Sequence, residues 1–368
     1  MHLNYRNVND AFVDLVKMFH NQPNGLVVCT ESRNGRVLQI TQPVTITYQR
    51  PWERVLFNLA RDCNPFFHMY ESLWMLAGRN DVESVAKFVS RMREYTDDGK
   101  TLNGAYGYRW RNYFGYDQLG WIIDELENNP TTRRCVLQMW DGGRTVDFRG
   151  DEPNDIHTEA PEALEFSGDL YKAINGWKDV PCNVCVMFMV NHGNLDMTVM
   201  NRSNDLIWGC LGANYVHFSM LHEYVSRCAG LPQGKYNQIS NNLHVYVNEH
   251  WSPEDFIDYS EDDIYPTTFH TGMPILTDQK DFDKELEIMV DGPIMEERTY
   301  SQPFLSTVVK PMMLAWACHK AREYEESLEW ANKIAVTDWK RACQTWINMR
   351  KKSWEERNKN KENEFTDS

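Results

Sequence analysis

Between Cys182 and Ser203 two stretches of alternating apolar residues, CNVCVMFMV and NLDMTVMNRS, are joined at the turn His192-Gly193. Val184, Val186, Phe188 and Val190 recur at every second position, the period of a strand that buries one face. A helix pattern follows directly, ANYVHFSMLHEYVSRCAG, with Asn214 near its start and Gly230 at its end. A strand pair delivered into a long helix restricts the chain to a mixed α+β architecture. The same stretch carries Cys182 and Cys185 at CxxC spacing. A zinc site needs a second Cys or His pair, and there is no second CxxC. A redox pair sits at a helix N-terminus, whereas these residues lie on a strand, where positions three apart face opposite ways. What remains is either two packed strand cysteines or one nucleophile with a bystander.

The rest of the chain fits the same class. GLVVCTESRNGRVLQITQPVTITYQRP reads as β-rich segments around an Arg33-Asn34-Gly35 turn, and residues 51–95 as helices broken near Pro65 and Gly78. TLNGAYGYRWRNYF reads as an aromatic loop, DQLGWIIDELENNP as a helix, TTRRCVLQMWD and NNLHVYVNEH as strands. We expect one catalytic domain over residues 1–310, with an acidic, Gly/Pro-dotted stretch at 142–178 read as a surface insertion in preference to a mobile flap. Trp-bearing helices at 311–350 and a charged, disordered tail at 351–368 should follow. No apolar run approaches the roughly 20 residues of a membrane span, and the N-terminus reads as an amphipathic helix, so a cytoplasmic protein without a membrane partner is expected. Its nine cysteines read as reduced thiols. The net charge of −15 disfavours nucleic acid as a partner.

Several polar residues stand out against that background. Arg33, the pair Arg133 and Arg134, and Arg202-Ser203 at a strand end offer forks suited to phosphate. Glu71 has Phe67, His68, Trp74 and Met75 three and four positions away, which puts its carboxylate on a mostly buried helix face. Burial without a partner would suit it to proton transfer. His244 and Tyr246, two apart on a strand, share one face. Asn214 could cap its helix or present an amide to a base edge.

In order, the motifs SRNG, ESLWMLAG, NGAYGYRWR, NPTTRRCVLQMWD, VPCNVCVMFMV, NRSNDLIWG, GANYVHF and NNLHVY resemble the thymidylate synthases and the related phage pyrimidine-nucleotide hydroxymethylases. The resemblance spans roughly Arg33 to Tyr246. It implies a twisted mixed sheet with surrounding helices and a sheet-mediated homodimer. It also implies Cys182 as nucleophile, with Tyr106 beside the thiol, Asn183 following it and Glu71 organising proton transfer. Arg33, Arg202 and Ser203 would hold the 5′-phosphate, with Arg133 and Arg134 reaching a partner's phosphate. His244 and Tyr246 would bind the deoxyribose 3′-hydroxyl, and Asn214, or Ala213 in a shifted alignment, would read the pyrimidine. Asp205 and Trp74 would border 5,10-methylenetetrahydrofolate, the implied co-substrate; no metal is implied.

Departures bear on the product. Asn183 stands where the synthases usually carry His, His217 where they carry a small Ser, and ENEFTDS has no likeness to their short apolar C-terminus. Asn183 leaves the product open, the unlike C-terminus weakens hydride transfer, and RSND and LHVY are closer to the hydroxymethylases, which favours a hydroxymethylated over a methylated product. An Asn amide at position 214 complements uracil; the deoxycytidylate enzymes carry Asp there. The expectation is hydroxymethylation of deoxyuridylate, with thymidylate synthesis, deoxycytidylate hydroxymethylation and a non-catalytic nucleotide- or RNA-binding relative as alternatives.

Overall fold

The computed structural model describes residues 1–22, 24–143, 168–247, 251–259, 265, 272–292 and 298–366, the last seven by backbone alone. Its strands are β1 (His2–Tyr5), β2 (Val27–Ser32), β3 (Gly35–Ile40), β4 (Val44–Tyr48), β5 (Val136–Gln138), β6 (Asn183–Asn191), β7 (Asn194–Asn201), β8 (Asn204–Asp205), β9 (Gln233–Ser240) and β10 (Leu243–Tyr246). The helices are α1 (Val8–Asn21), α2 (Pro65–Leu76), α3 (Val82–Ala86), α4 (Tyr106–Arg111), α5 (Gln118–Asn128), α6 (Asp169–Ile174), α7 (Ala213–Cys228), α8 (Pro253–Asp258), α9 (Gln279–Asp291), α10 (Lys310–Ala321), α11 (Tyr324–Asn332) and α12 (Thr337–Thr366).

The expected α+β class holds, with two sheets rather than one. A six-stranded mixed sheet runs β1-β4-β9-β7-β6-β5, and a second, four-stranded sheet runs β2-β3-β10-β8. The hairpin β6–β7 turns at His192, whose φ of 49° is left-handed, and Gly193. Register shifts between Asn183 and Cys185, a bulge where the strand leaves the Pro181-Cys182 corner. β9 was not legible in GKYNQIS, a polar run with weak alternation, because it is an interior strand recruited between β4 and β7.

α2 and α7 pack against each other in the interior. Every residue of α2 is buried, Glu71 included. Its start is set locally: Asn64 accepts from the Phe66 and Phe67 amides at 3.0 and 3.1 Å, and Pro65 occupies the first turn. The NGAYGYRWR segment, read as a loop, forms the short helix α4 instead. Gly107 permits this because a Cβ there would sit 1.9 Å from the Met75 carbonyl, so α4 crosses the end of α2 at backbone contact. The N-terminal helix starts later than its sequence pattern, at Val8, capped by Asn7 and preceded by β1.

Most of the insertion, residues 144–167, lies outside the described residues. Its C-terminal end is firmly tied: Asp169, fully buried, makes a bidentate pair with Arg109 at 2.6 and 2.9 Å. The C-terminal helices dock on the start of α2 through Trp346 and Trp316, which lie 5.6 Å from Phe66. Arg350 pairs with Asp62 at 2.5 Å. The expected disordered tail is instead the continuation of α12 to Thr366. Lys, Glu and Arg are good helix formers, and the packed first half of α12 supplies the nucleus from which helix propagates. Among the described residues no helix is long and apolar enough to cross a membrane.

Candidate active site

A cleft of about 1420 Å³ opens between the two sheets and the α2–α7 pair. Glu71, Trp74 and Met75, three and four positions apart on α2, share the face that lines it. Cys182, Tyr106, Ser203, Asp205, Asn214 and Tyr246 line it too. Eight of the fourteen residues singled out from the sequence therefore meet in one cavity, although they come from segments more than a hundred positions apart.

Cys182 is presented from the corner before β6. Its carbonyl accepts from the Arg202 amide at 2.9 Å, while the Arg202 guanidinium donates to the Pro181 and Val180 carbonyls at 2.9 and 3.1 Å. Arg202 thus clamps the backbone behind the thiol and stacks 5.3 Å above Trp140. Asp179 braces the other side. Its carboxylate accepts from the Gly104 amide at 2.7 Å and its carbonyl from Asn103 Nδ2 at 2.9 Å, holding the loop that carries Tyr106 against the cysteine. Burial pushes the Cys182 thiol above its ordinary range; the Arg202 and Arg33 charges pull it back, and Asp179 and Asp205 push it further up. Burial likewise raises the Tyr106 hydroxyl well above its usual value. Cys185 faces away from the cleft, on the outer side of the sheet, so the two thiols do not cooperate.

Glu71 is not the partnerless carboxylate its sequence neighbourhood suggests. His217, from the first turns of α7, places Nε2 3.0 Å from Glu71 Oε2, with both side chains almost wholly buried. Behind it, burial and the nearby His217 and Arg61 hold His68 well below the usual imidazole range, so this ring is neutral at physiological pH. Asn214 does not cap α7: Gly212 holds that position without a side-chain bond, and Asn214 is free to line the cleft.

Six of the predicted residues lie off the cavity wall. Asn183 is fully buried behind the cysteine, its amide donating to the Met200 carbonyl and to Asn201, so it shapes the corner rather than contacting a ligand. Arg202 acts through the backbone clamp just described. His244 sits behind Tyr246, their rings 5.3 Å apart and nearly perpendicular, with Nδ1 bonded to Asn242 at 2.8 Å. Arg33 is exposed at the β2–β3 turn, reaching the Trp177 carbonyl, while Asn34 beside it reaches the Tyr246 hydroxyl at 3.5 Å. Arg133 and Arg134 are exposed beside β5 and make no side-chain bond among the described residues.

Asp205 caps the π-helical turn Leu206–Cys210, accepting from the Ile207 and Trp208 amides. That turn leaves Trp208 half exposed at the cleft mouth, with Arg61 5.6 Å over its ring and bonded to the Ile207 carbonyl. Asp179 and Arg61 escaped sequence reasoning. Asp179 sits three residues before Cys182, just past the acidic insertion, where no motif marks it; Arg61 carries no local pattern.

The thymidylate synthase family model matches residues 60–255, which hold the cavity's α2, α4 and α7 walls and the Cys182 corner. Together with the relatives below, this match shows that the chain belongs to the thymidylate synthase family. A deoxyuridylate hydroxymethyltransferase of Pseudomonas phage M6 is 42% identical over 341 residues, 89% of each chain. The enzymes of the same name from Bacillus phage SP01 and Delftia phage PhiW-14 are 34% and 30% identical. Those two matches cover 59% and 53% of this chain and 52% and 50% of theirs.

Proposed function

We propose that the protein transfers a one-carbon unit from 5,10-methylenetetrahydrofolate to carbon 5 of deoxyuridylate and releases 5-hydroxymethyl-deoxyuridylate. One observation carries the reading: Cys182, the Glu71–His217 pair, Tyr106 and Asn214 converge on a cleft larger than the roughly 300–1,000 Å³ of a single-ligand pocket. That size suits a nucleotide and a flat co-substrate together. The name shared by the phage relatives supports the choice of nucleotide and product.

The residues of the chain divide the work. Cys182 as thiolate adds to carbon 6 of the uracil, which makes carbon 5 a nucleophile. The cation field of Arg202 and Arg33 favours that thiolate against the burial that opposes it. Carbon 5 bonds to the one-carbon unit of the folate; Glu71 then takes the carbon 5 proton as the bond to the folate nitrogen breaks, which releases tetrahydrofolate and leaves an exocyclic methylene on the nucleotide. Asn214 offers a donor and an acceptor to the uracil edge, Ser203 lines the cleft, and Arg33 and Arg202, whose charges act on the Cys182 thiol, would join it in holding the 5′-phosphate. His244 and Tyr246 serve the 3′-hydroxyl, with Tyr246 in direct reach and His244 supporting it. The folate supplies the one-carbon unit. Its residues fit: Trp74, Ile207 and Trp208 line the cleft, and the Asp205 carboxylate caps the turn that carries Ile207 and Trp208.

We also place the active form as a homodimer through the outer face of the large sheet. Val136, Met189 and Met200 are 45%, 47% and 37% exposed on that face. Single exposed apolar residues are ordinary; a contiguous group on one sheet face marks an interface. Arg133 and Arg134, unpaired beside it, would then reach the partner's phosphate.

The test is incubation with the folate and either deoxyuridylate or deoxycytidylate, with product mass and dihydrofolate absorbance as readouts. A product 30 mass units (~CH₂O) above deoxyuridylate without dihydrofolate is expected from the addition of one formaldehyde unit. Stoichiometric dihydrofolate with a methylated product would overturn the reading. Cys182→Ser should abolish release of hydrogen from carbon 5.

A further inference from the structure

We propose that His217 is the positioning residue that commits this reaction to water, by holding Glu71 as the acceptor of the water proton. The inference rests on the hydroxymethylation reading. Among the described residues Glu71 has one polar neighbour, His217, at 3.0 Å; no other hydrogen bond or ion pair reaches the carboxylate. His217 is itself 3% exposed, borders the cleft, and neither ring nitrogen has a hydrogen-bond partner of good geometry. Two buried polar groups that rely on each other, in a cavity with the nucleophile, are an uncommon expense for a fold. Both α2 and α7 also bury apolar side chains on the core, so their packing has other contributors than this pair.

The step balances as an addition and an elimination. Glu71 first passes the carbon 5 proton to the departing tetrahydrofolate amine, from which it exchanges into solvent; the water oxygen then bonds to the exocyclic methylene carbon and the water proton passes to the freed Glu71 carboxylate. The π pair moves into the ring as an enolate, and its collapse restores the 5,6 double bond and expels the Cys182 thiolate, which recovers the proton. No oxidant or reductant is consumed. The carbon 5 proton is acidified by the covalent adduct itself, whereas the water is oriented by the enzyme alone. Loosening Glu71 therefore falls hardest on the water.

Tritium released from carbon 5 counts every methylene formed; hydroxymethyl product counts those captured by water. Their ratio, measured with 2-mercaptoethanol present as a competing nucleophile, is insensitive to how much enzyme is folded. The wild-type ratio should be near one. In His217→Ala it should rise at least ~10-fold, with a thioether adduct accounting for the difference, since a misplaced catalytic group costs on the order of 10²-fold. His217→Gln, whose amide can place a donor beside Glu71, should return the ratio to within about threefold of wild type. A ratio near one in His217→Ala, whether both signals fall together or neither does, overturns the proposal. Methylated product from the wild type would instead sink the hydroxymethylation reading itself.

Discussion

Replacing Asp179 by Asn should make the protein more stable at neutral pH and its nucleophile more acidic. The half-buried carboxyl accepts from the Gly104 amide and acts electrostatically on Cys182, and its desolvation holds it at about 6 instead of 3.8. Keeping it ionised at pH 7.5 therefore costs the fold roughly 3 kcal/mol, since one unit of pKa is about 1.4 kcal/mol. The sign follows from proton counts. Between pH 3.8 and about 6 the folded state binds more protons at this site than the unfolded chain, so the contribution to stability falls as pH rises. Below that window both states are protonated and the cost vanishes; above it the cost is complete. Asn keeps the acceptor for Gly104 and carries no charge. Urea unfolding should thus show Asp179→Asn more stable than wild type by up to about 3 kcal/mol at pH 7.5, with the difference closing toward pH 4. The same change removes an anion that raises the Cys182 thiol. Alkylation of Cys182, followed at its own peptide by mass spectrometry, should have a lower pH midpoint in the variant. A variant less stable than wild type at pH 7.5, or a difference that does not change with pH, would refute the argument.

Two further outcomes follow from other parts of the site. Arg109 and Asp169 are both fully buried, so Arg109→Met or Asp169→Leu alone should cost about 3–5 kcal/mol in a urea titration; the double variant should cost less than the sum of the two, because no unpaired charge remains. Asn214→Asp should shift the kcat/KM ratio from deoxyuridylate toward deoxycytidylate by roughly 5- to 150-fold, the equivalent of about 1–3 kcal/mol for a mispaired buried polar edge; an unchanged ratio would remove Asn214 from base reading.

Much of the site could be read because its chemistry is local in sequence. Pro181-Cys182 precedes an alternating strand, Glu71 lies among four bulky helix neighbours, and Arg202-Ser203 ends the paired strand. Each pattern reports its own residue's face through the period of the element. The class of fold followed from the same periods. What periodicity does not carry is who stands opposite. His217 was visible as an unusual residue on α7, yet its meeting with Glu71 depends on α2 and α7 packing side by side. Asp179 is one more acid beside an acidic insertion, with no motif to mark it; its enclosure depends on the loop at Asn103–Gly104 closing over it. The tail read as disordered because charge was weighed without the nucleus that α11 and the Trp cluster give to α12.

By itself, then, the sequence determined which residue types sit on which face of which element, and so where a thiol, a carboxylate and phosphate-binding arginines could be presented. The tertiary structure alone decided which of them share a cavity and what each costs to ionise. Side-chain direction is set by backbone geometry a few residues wide, whereas burial and charge pairing are set by neighbours that the chain brings together from far apart.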